Sequence, residues 1–190
     1  MCEWKRPVRG RSNGDSVAAM SDTDTETDTG PAPIFSANDA IEKIWVQAYQ
    51  GEVLGESFFS GLADRLDDAA MVRKMRVLAE LERRTKEAVA PALTRAGVST
   101  EPDAETVSLA EALAIDSANR SWGDLMASIG TVTDQFIPLY QRIGELDPSE
   151  LEAADLLVAH EVALRDFTRA ELAGDVGTSL DPVHALAHMR

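Results

Sequence analysis

The sequence has little of what disulfide-stabilised, secreted or membrane-spanning proteins need. Its single cysteine, Cys2, excludes an internal disulfide framework and is typical of a protein of the reducing cytoplasm. No run reaches the length of about 20 apolar residues that a membrane-spanning helix requires, and no apolar core of a signal peptide stands near the N-terminus. We therefore predict a soluble, cytoplasmic protein that does not act on membranes.

Positive charge is also scarce. Lysine and arginine number 18 against 33 aspartates and glutamates, which gives a formal net charge of −15. Such a surface repels phosphate backbones, so nucleic acid is not an expected partner. Neither a glycine-rich phosphate loop after a strand nor a cysteine–histidine pair is evident, and among enzymes only metal-dependent redox chemistry keeps any support.

Long runs of valine and isoleucine are absent, and aromatic residues make up only 5% of the chain. Alanine, leucine and glutamate are abundant instead, which predicts an all-α fold. The first 35 residues are an exception, because a basic leader (1–19) is followed by an acidic Ser/Asp/Thr/Glu run and two prolines. This composition predicts disorder over residues 1–35. We expect Met20 to be the true start; an organelle or export leader is the alternative.

Helical periodicity and capping residues predict four long helices. The predicted helices cover residues 36–66, 69–96, 122–144 and 147–174, with a shorter helix at 108–120 and a short terminal helix from Asp181. The bundle thus occupies 36–174, and 175–190 form a C-terminal tail. Tight loops within the first and last pairs predict two antiparallel hairpins, and a connection of about 25 residues between them is long enough to cross the bundle.

Three glutamates interrupt the apolar stripes of these helices. Glu52 follows Trp45 and Ala48 on the first helix, and Glu82 follows Leu78 on the second. Glu161 follows Leu157 on the last helix, with His160 beside it. A carboxylate on the buried side of a helix must find a partner, bind a metal or take up a proton. Their similar depth predicts one polar site inside the bundle.

Three short segments carry a resemblance to a known family. They are Tyr49–Glu52, Leu78–Glu82 and His160–Leu164, the last followed by Phe167 and Glu171. Over residues 36–174 the chain resembles the ferritin-like, rubrerythrin-related superfamily of carboxylate-bridged di-iron proteins. The resemblance implies a ferritin-like four-helix bundle with a long crossover, and a homodimer formed through an outer apolar helix face.

The chain departs from the ligand pattern of that superfamily. The pattern has one glutamate on each of two helices and Glu-x-x-His on each of the other two. Glu52 matches a lone glutamate, but Thr85 and Leu164 stand where histidines would follow Glu82 and Glu161. The third long helix has no acid on its predicted buried stripe, which consists of Trp122, Leu125, Ile129, Val132, Phe136, Leu139 and Ile143. Both histidines and one carboxylate are therefore missing.

These residues are compatible with two functions. With His160 taking part, the set Glu52, Glu82, His160 and Glu161 could hold one iron, manganese or zinc ion, as in a metal-dependent oxidoreductase or metal-binding protein. The interpretation we favour is a non-catalytic binding or interaction protein. In it the acids form a hydrogen-bonded polar layer, and the bundle binds a small ligand or a protein partner.

Four further residues have competing interpretations. Gly55 on the buried stripe marks either a close helix crossing, which we favour, or room for something bound. Glu56 could line the site, but we expect it to form a boundary salt bridge instead. His184 and His188 have the i, i+4 spacing of a chelating pair, but only Asp181 is an acid nearby, so no metal site is expected there.

Overall fold

The structure is a computed structural model that describes residues 37–190, and the predicted disordered segment 1–35 lies outside these residues. Helices account for all the regular secondary structure of the described part, so the all-α prediction is confirmed there. None of these helices is long and apolar enough to cross a membrane. The helices are α1 (Ala37–Ala63), α2 (Ala69–Arg95), α3 (Ala104–Ser117), α4 (Trp122–Leu146), α5 (Leu151–Ala173) and α6 (Asp181–Ala185), with single 3-10 turns at Pro148–Glu150 and Ala187–Met189.

Helix ends are set by the residues that can cap them. Asp68 begins α2, where its carboxylate accepts hydrogen bonds from the backbone N–H groups of Ala70 and Met71. Gly97, just beyond the end of α2, has a φ of 72°, as predicted for a left-handed cap. The predicted start of the crossover helix at Ser108 is wrong. Asp103 caps this helix instead and starts it five residues earlier.

The long helices pack as two pairs, α1 with α2 and α4 with α5, and α2 also contacts α5 while α1 contacts α4. Helix α3 lies along α1. At its start, the Gln50 side chain binds the backbone of Glu101 and Asp103, each at 3.0 Å, and near its end Ala114 faces Gly61. The chain therefore returns along α1 before it enters α4. As a result, α2 and α4 run in the same direction.

The buried face of α4 differs from the predicted stripe. Val132 is 40% exposed and Phe136 and Trp122 are only partly buried, whereas Thr133 and Tyr140 are 1% exposed. Near its ends the predicted stripe is right, since Leu125, Ile129 and Ile143 are at most 7% exposed. In the middle, the steps of three residues to Val132 and to Leu139 fall short of the 3.6 residues of one turn, and the next residues, Thr133 and Tyr140, face the core instead.

The core consists of two apolar clusters. One contains Phe59, Leu62, Leu78, Met126 and Phe167, and the other contains Trp45, Val89, Leu93, Ile143 and Leu157. Each long helix contributes to both clusters. Buried polar residues lie between them along the helices, and these are Glu52, Glu82, Thr85, Thr133, His160 and Glu161.

Candidate metal centre

Three of the four predicted site residues bring their ligand atoms together. Glu52 on α1, Glu82 on α2 and His160 on α5 each offer one atom, and these atoms lie within 4.8 Å of one another. The Nε2 atom of His160 is 3.5 Å from Oε2 of Glu82 and 3.8 Å from Oε2 of Glu52. All three side chains are at most 5% exposed. The site is therefore shielded from bulk water.

Gly55 creates the space for one of these carboxylates. A Cβ atom placed on Gly55 would lie 2.5 Å from Cδ of Glu82 and within 2.8 Å of both its carboxylate oxygens. No real side chain tolerates such a contact, so any larger residue here would displace the Glu82 carboxylate. The space beside Gly55 is therefore filled by the carboxyl group of a residue on α2, and the close helix crossing stays a prediction.

Burial favours the protonated form of both carboxyl groups. It raises the pKa of Glu52 to about 8, although hydrogen bonds with Glu82 and Tyr140 act in the opposite direction. Burial also raises the pKa of Glu82 well above its ordinary value, and the charges of Glu52 and then Glu161 add to this effect. The two groups therefore titrate as a pair that shares protons in the metal-free protein.

Burial shifts the pKa of His160 in the opposite direction. Burial lowers its pKa to about 3, with a smaller contribution from His188, so the imidazole is neutral. Its Nδ1 atom is 2.8 Å from Oγ1 of Thr85. A neutral imidazole whose second nitrogen is held by a hydrogen bond is the form in which histidine binds metals.

Helix α4 supplies two site residues that the sequence analysis missed. The Tyr140 hydroxyl donates to Oε1 of Glu52 at 3.4 Å, and Thr133 hydrogen-bonds Glu161. Burial, followed by the nearby charge of Glu52, raises the pKa of Tyr140 well above its ordinary value, so the phenol keeps its proton. A frame of 3.6 residues per turn from Ile129 would have placed both residues on the buried face.

Glu161 is buried at 5% exposure but lies outside the group of three ligand atoms. Burial raises its pKa well above the ordinary value, and the charge of Glu52 raises it further, against the hydrogen bond with Thr133. In contrast, Oε2 of Glu52 has no hydrogen-bond partner. Once Glu52 is ionised, this buried oxygen would be an unsatisfied acceptor that a cation could satisfy.

The remaining predictions have separate outcomes. Glu56 forms the expected salt bridge, with its Oε2 atom 2.5 Å from Nζ of Lys86. His184 is exposed, and neither it nor His188 belongs to a group of three ligand atoms among residues 37–190. His188 instead reaches the site, because its Nε2 atom lies 3.0 Å from Oγ1 of Thr85.

Comparison with protein families, curated proteins and solved structures finds no match to this chain. Whether the site can hold a metal ion therefore has to be inferred from the positions of its own ligand atoms. Metal–ligand bonds of about 2.1 Å at a tetrahedral centre separate the ligand atoms by about 3.4 Å. The observed distances of 3.5 and 3.8 Å from Nε2 of His160 are close to this value. Since all three ligand atoms lie within 4.8 Å of one another, the residues are placed so that they could converge on one ion.

Proposed function

We propose that this protein binds one divalent metal ion, iron or manganese, at Glu52, Glu82 and His160. The observation that carries the proposal is the convergence of three buried ligand atoms from three helices. One of the carboxylate oxygens there, Oε2 of Glu52, lacks a hydrogen-bond partner. Two carboxylates and one imidazole form an oxygen-rich set, which favours manganese and iron(II) and accommodates zinc.

We also propose that the fold is a ferritin-like four-helix bundle. Two helix pairs joined by a long connection, which carries α3 back along α1, support this assignment. The glutamates on α1 and α2 occupy the helices on which that superfamily places ligands. Thr85 and Leu164, in place of two histidines, favour a single ion over a dinuclear centre. A homodimer remains a prediction of the resemblance.

The surrounding residues suit a metal that enters by displacing protons. Glu52 and Glu82 must lose their shared protons to bind an ion, so metal binding releases protons and strengthens as the pH rises. Tyr140 donates to the oxygen of Glu52 that does not face His160, and so orients the carboxylate. An ion held by three protein ligands has open positions and would supply Lewis-acid or redox chemistry to a molecule bound there.

A non-catalytic binding or interaction protein is the second candidate. The raised pKa values of Glu52, Glu82 and Glu161 favour it, since protons alone can neutralise the acids. Hydrogen bonds from Tyr140 and Thr133 would then complete a polar layer that fixes the register of the helices. Metal content separates this candidate from the first.

Metal analysis of the full-length chain tests the proposal. The purified, untagged protein is loaded with Mn²⁺, or with Fe²⁺ without oxygen, and analysed for bound metal per chain. We expect close to one ion in the wild type and a large loss in Glu52→Gln and in Glu82→Gln. Glu42→Gln is the matched control, because it makes the same change at an exposed position of α1. If the wild type binds no metal, the second candidate replaces the first.

A further inference from the structure

The C-terminal segment contacts the polar site through a chain of three side chains. Oγ1 of Thr85 lies 2.8 Å from Nδ1 of His160 and 3.0 Å from Nε2 of His188. Thr85 is completely buried, whereas His188 is partly exposed. A buried hydroxyl thus joins the candidate ligand on α5 to a histidine 28 residues further along the chain.

This contact belongs to a segment that is held in place at several points. Val183 is fully buried, and Leu186 and Met189 pack against the apolar cluster that contains Phe167. Nη1 of Arg84 donates to the backbone carbonyl of His188 at 3.2 Å. The imidazole of His188 is therefore positioned on Thr85 by the packing of neighbouring residues and by a hydrogen bond to its own backbone carbonyl.

A hydroxyl has one proton to donate, and this makes the two histidines interdependent. If Nδ1 of His160 carries the ring proton, it donates to Thr85, and the Thr85 hydroxyl donates to Nε2 of His188. The Nε2 atom of His160 then presents a lone pair toward Glu52 and Glu82. If Thr85 instead donates to His160, the ring proton stands on Nε2 and blocks a metal ion there.

We infer that His188 is a positioning residue of the metal site that acts through Thr85. As the hydrogen-bond acceptor at the end of the chain, it holds His160 in the tautomer whose Nε2 lone pair faces the carboxylates. The role of His188 in metal binding rests on the proposed function. Its effect on the tautomer of His160 does not, because that tautomer can be measured in the metal-free protein. The C-terminal segment is thereby part of the site.

Two measurements on the full-length chain test this inference. Long-range ¹⁵N–¹H correlation spectra of the metal-free protein report which nitrogen of each histidine carries a proton, and the chain has only 3 histidines to assign. Titration with Mn²⁺, in which the EPR signal of the free ion is followed, gives the affinity of the site. His184→Gln assigns the exposed histidine and serves as the control, since it changes neither readout.

We expect the His160 proton on Nδ1 in the wild type. His188→Leu removes the acceptor, so the proton moves toward Nε2 and the affinity for Mn²⁺ falls by about 10- to 100-fold. Thr85→Val produces the same loss, and the double variant loses no more than either single one, because both break one chain. His188→Gln offers a side-chain carbonyl as acceptor and retains most of the affinity.

An unchanged His160 tautomer and an unchanged Mn²⁺ affinity in His188→Leu would overturn the inference. Loss of affinity in His188→Leu that His188→Gln shares in full would also overturn it, because that pattern indicates a merely structural contact. If the wild type binds no Mn²⁺, the proposed function fails. The spectra of the metal-free variants then still decide whether His188 sets the tautomer of His160.

Discussion

Buried carboxylates have two kinds of environment in this protein. At the ends of α5, each acid has a cation. Glu150 receives two hydrogen bonds from Arg95, at 2.5 and 2.6 Å, and Glu171 is paired with Lys74 and accepts a hydrogen bond from Nε1 of Trp122 at 2.8 Å. In the middle of the helices, the acids face one another and a neutral histidine.

The two arrangements have opposite effects on protonation. The hydrogen bonds from Arg95 lower the pKa of Glu150. Burial alone would raise the pKa of Glu171, but the hydrogen bonds from Lys74, Ser179 and Trp122 outweigh it and lower the pKa. Burial raises the pKa of Glu52 to about 8, and the charge of Lys86, which is paired with Glu56, does not offset this effect. The difference identifies the central acids, and not the terminal ones, as candidates for binding a cation.

The largest effect is expected from Lys74→Met, which removes the cation beside Glu171. Lys74 is 13% exposed and the Glu171 side chain 1%, so the acid would be left buried without its charge partner. We expect a loss of about 3–5 kcal/mol in the free energy of unfolding, measured by urea denaturation. Adding Glu171→Gln should restore most of this loss.

Glu52→Gln tests an acid that has no cation beside it, for comparison with Glu171. Glu52 is already protonated at pH 7 in the metal-free protein, so a neutral amide should change the stability by only about 1 kcal/mol. Equal losses in Lys74→Met and Glu52→Gln would contradict the distinction between paired and unpaired acids.

Gly55→Ala should disturb the central acids while the terminal pairs stay intact. The added Cβ would displace the Glu82 carboxylate, at a cost of about 1–3 kcal/mol, and the affinity for Mn²⁺ should fall at least tenfold. Gly123→Ala is the control, because no atom lies within 4 Å of its added Cβ, and it should be neutral or slightly stabilising. Full metal binding by Gly55→Ala would contradict the assignment of Glu82 as a ligand.

The stability of the metal-free protein should decrease as the pH rises from 6.5 to 8. Glu52 has a pKa of about 8 when folded and an ordinary value of 4.5, so between these values the folded state holds more protons and a higher pH favours unfolding. Below 6.5, His160 acts in the opposite direction, because its pKa of about 3 when folded makes the unfolded state the better proton acceptor.

The expected slope is at most about 1.4 kcal/mol for each pH unit and each proton released. Thermal or urea unfolding at a series of pH values measures it, and Glu52→Gln should reduce the slope. A stability that rises between pH 6.5 and 8 in the wild type would show that Glu52 does not hold its proton.

The smallest effect is expected for a charge pair on the surface. Nη2 of Arg76 and Oδ1 of Asp64 are 2.5 Å apart, but the side chains are 52% and 61% exposed. A double-mutant cycle with Arg76→Ala and Asp64→Ala should give a coupling below about 1 kcal/mol, since water screens the pair. A coupling as large as the loss in Lys74→Met would mean that burial does not distinguish these acids.

Much of the helical architecture could be predicted from local signals. Apolar periodicity and glycines such as Gly97 are local signals, so the ends of α2 were predicted to within one residue. The start of α3 was wrong because two capping residues, Asp103 and Ser108, compete, and sequence alone does not rank them. The middle of the buried face of α4 was misplaced because steps of three residues, as from Ile129 to Val132, fall short of one turn.

By itself, the sequence determined that the chain is helical and that Glu52, Glu82, His160 and Glu161 lie on buried faces, because a period of 3.6 residues is a local property. Only the tertiary structure decided which of these acids meet. Contacts such as that between Thr85 and His188, 103 residues apart, depend on how helices cross. The pairing of Glu150 with Arg95 and of Glu171 with Lys74 also depends on how the helices cross. Whether a buried acid is charged or protonated is therefore set by its neighbours in space.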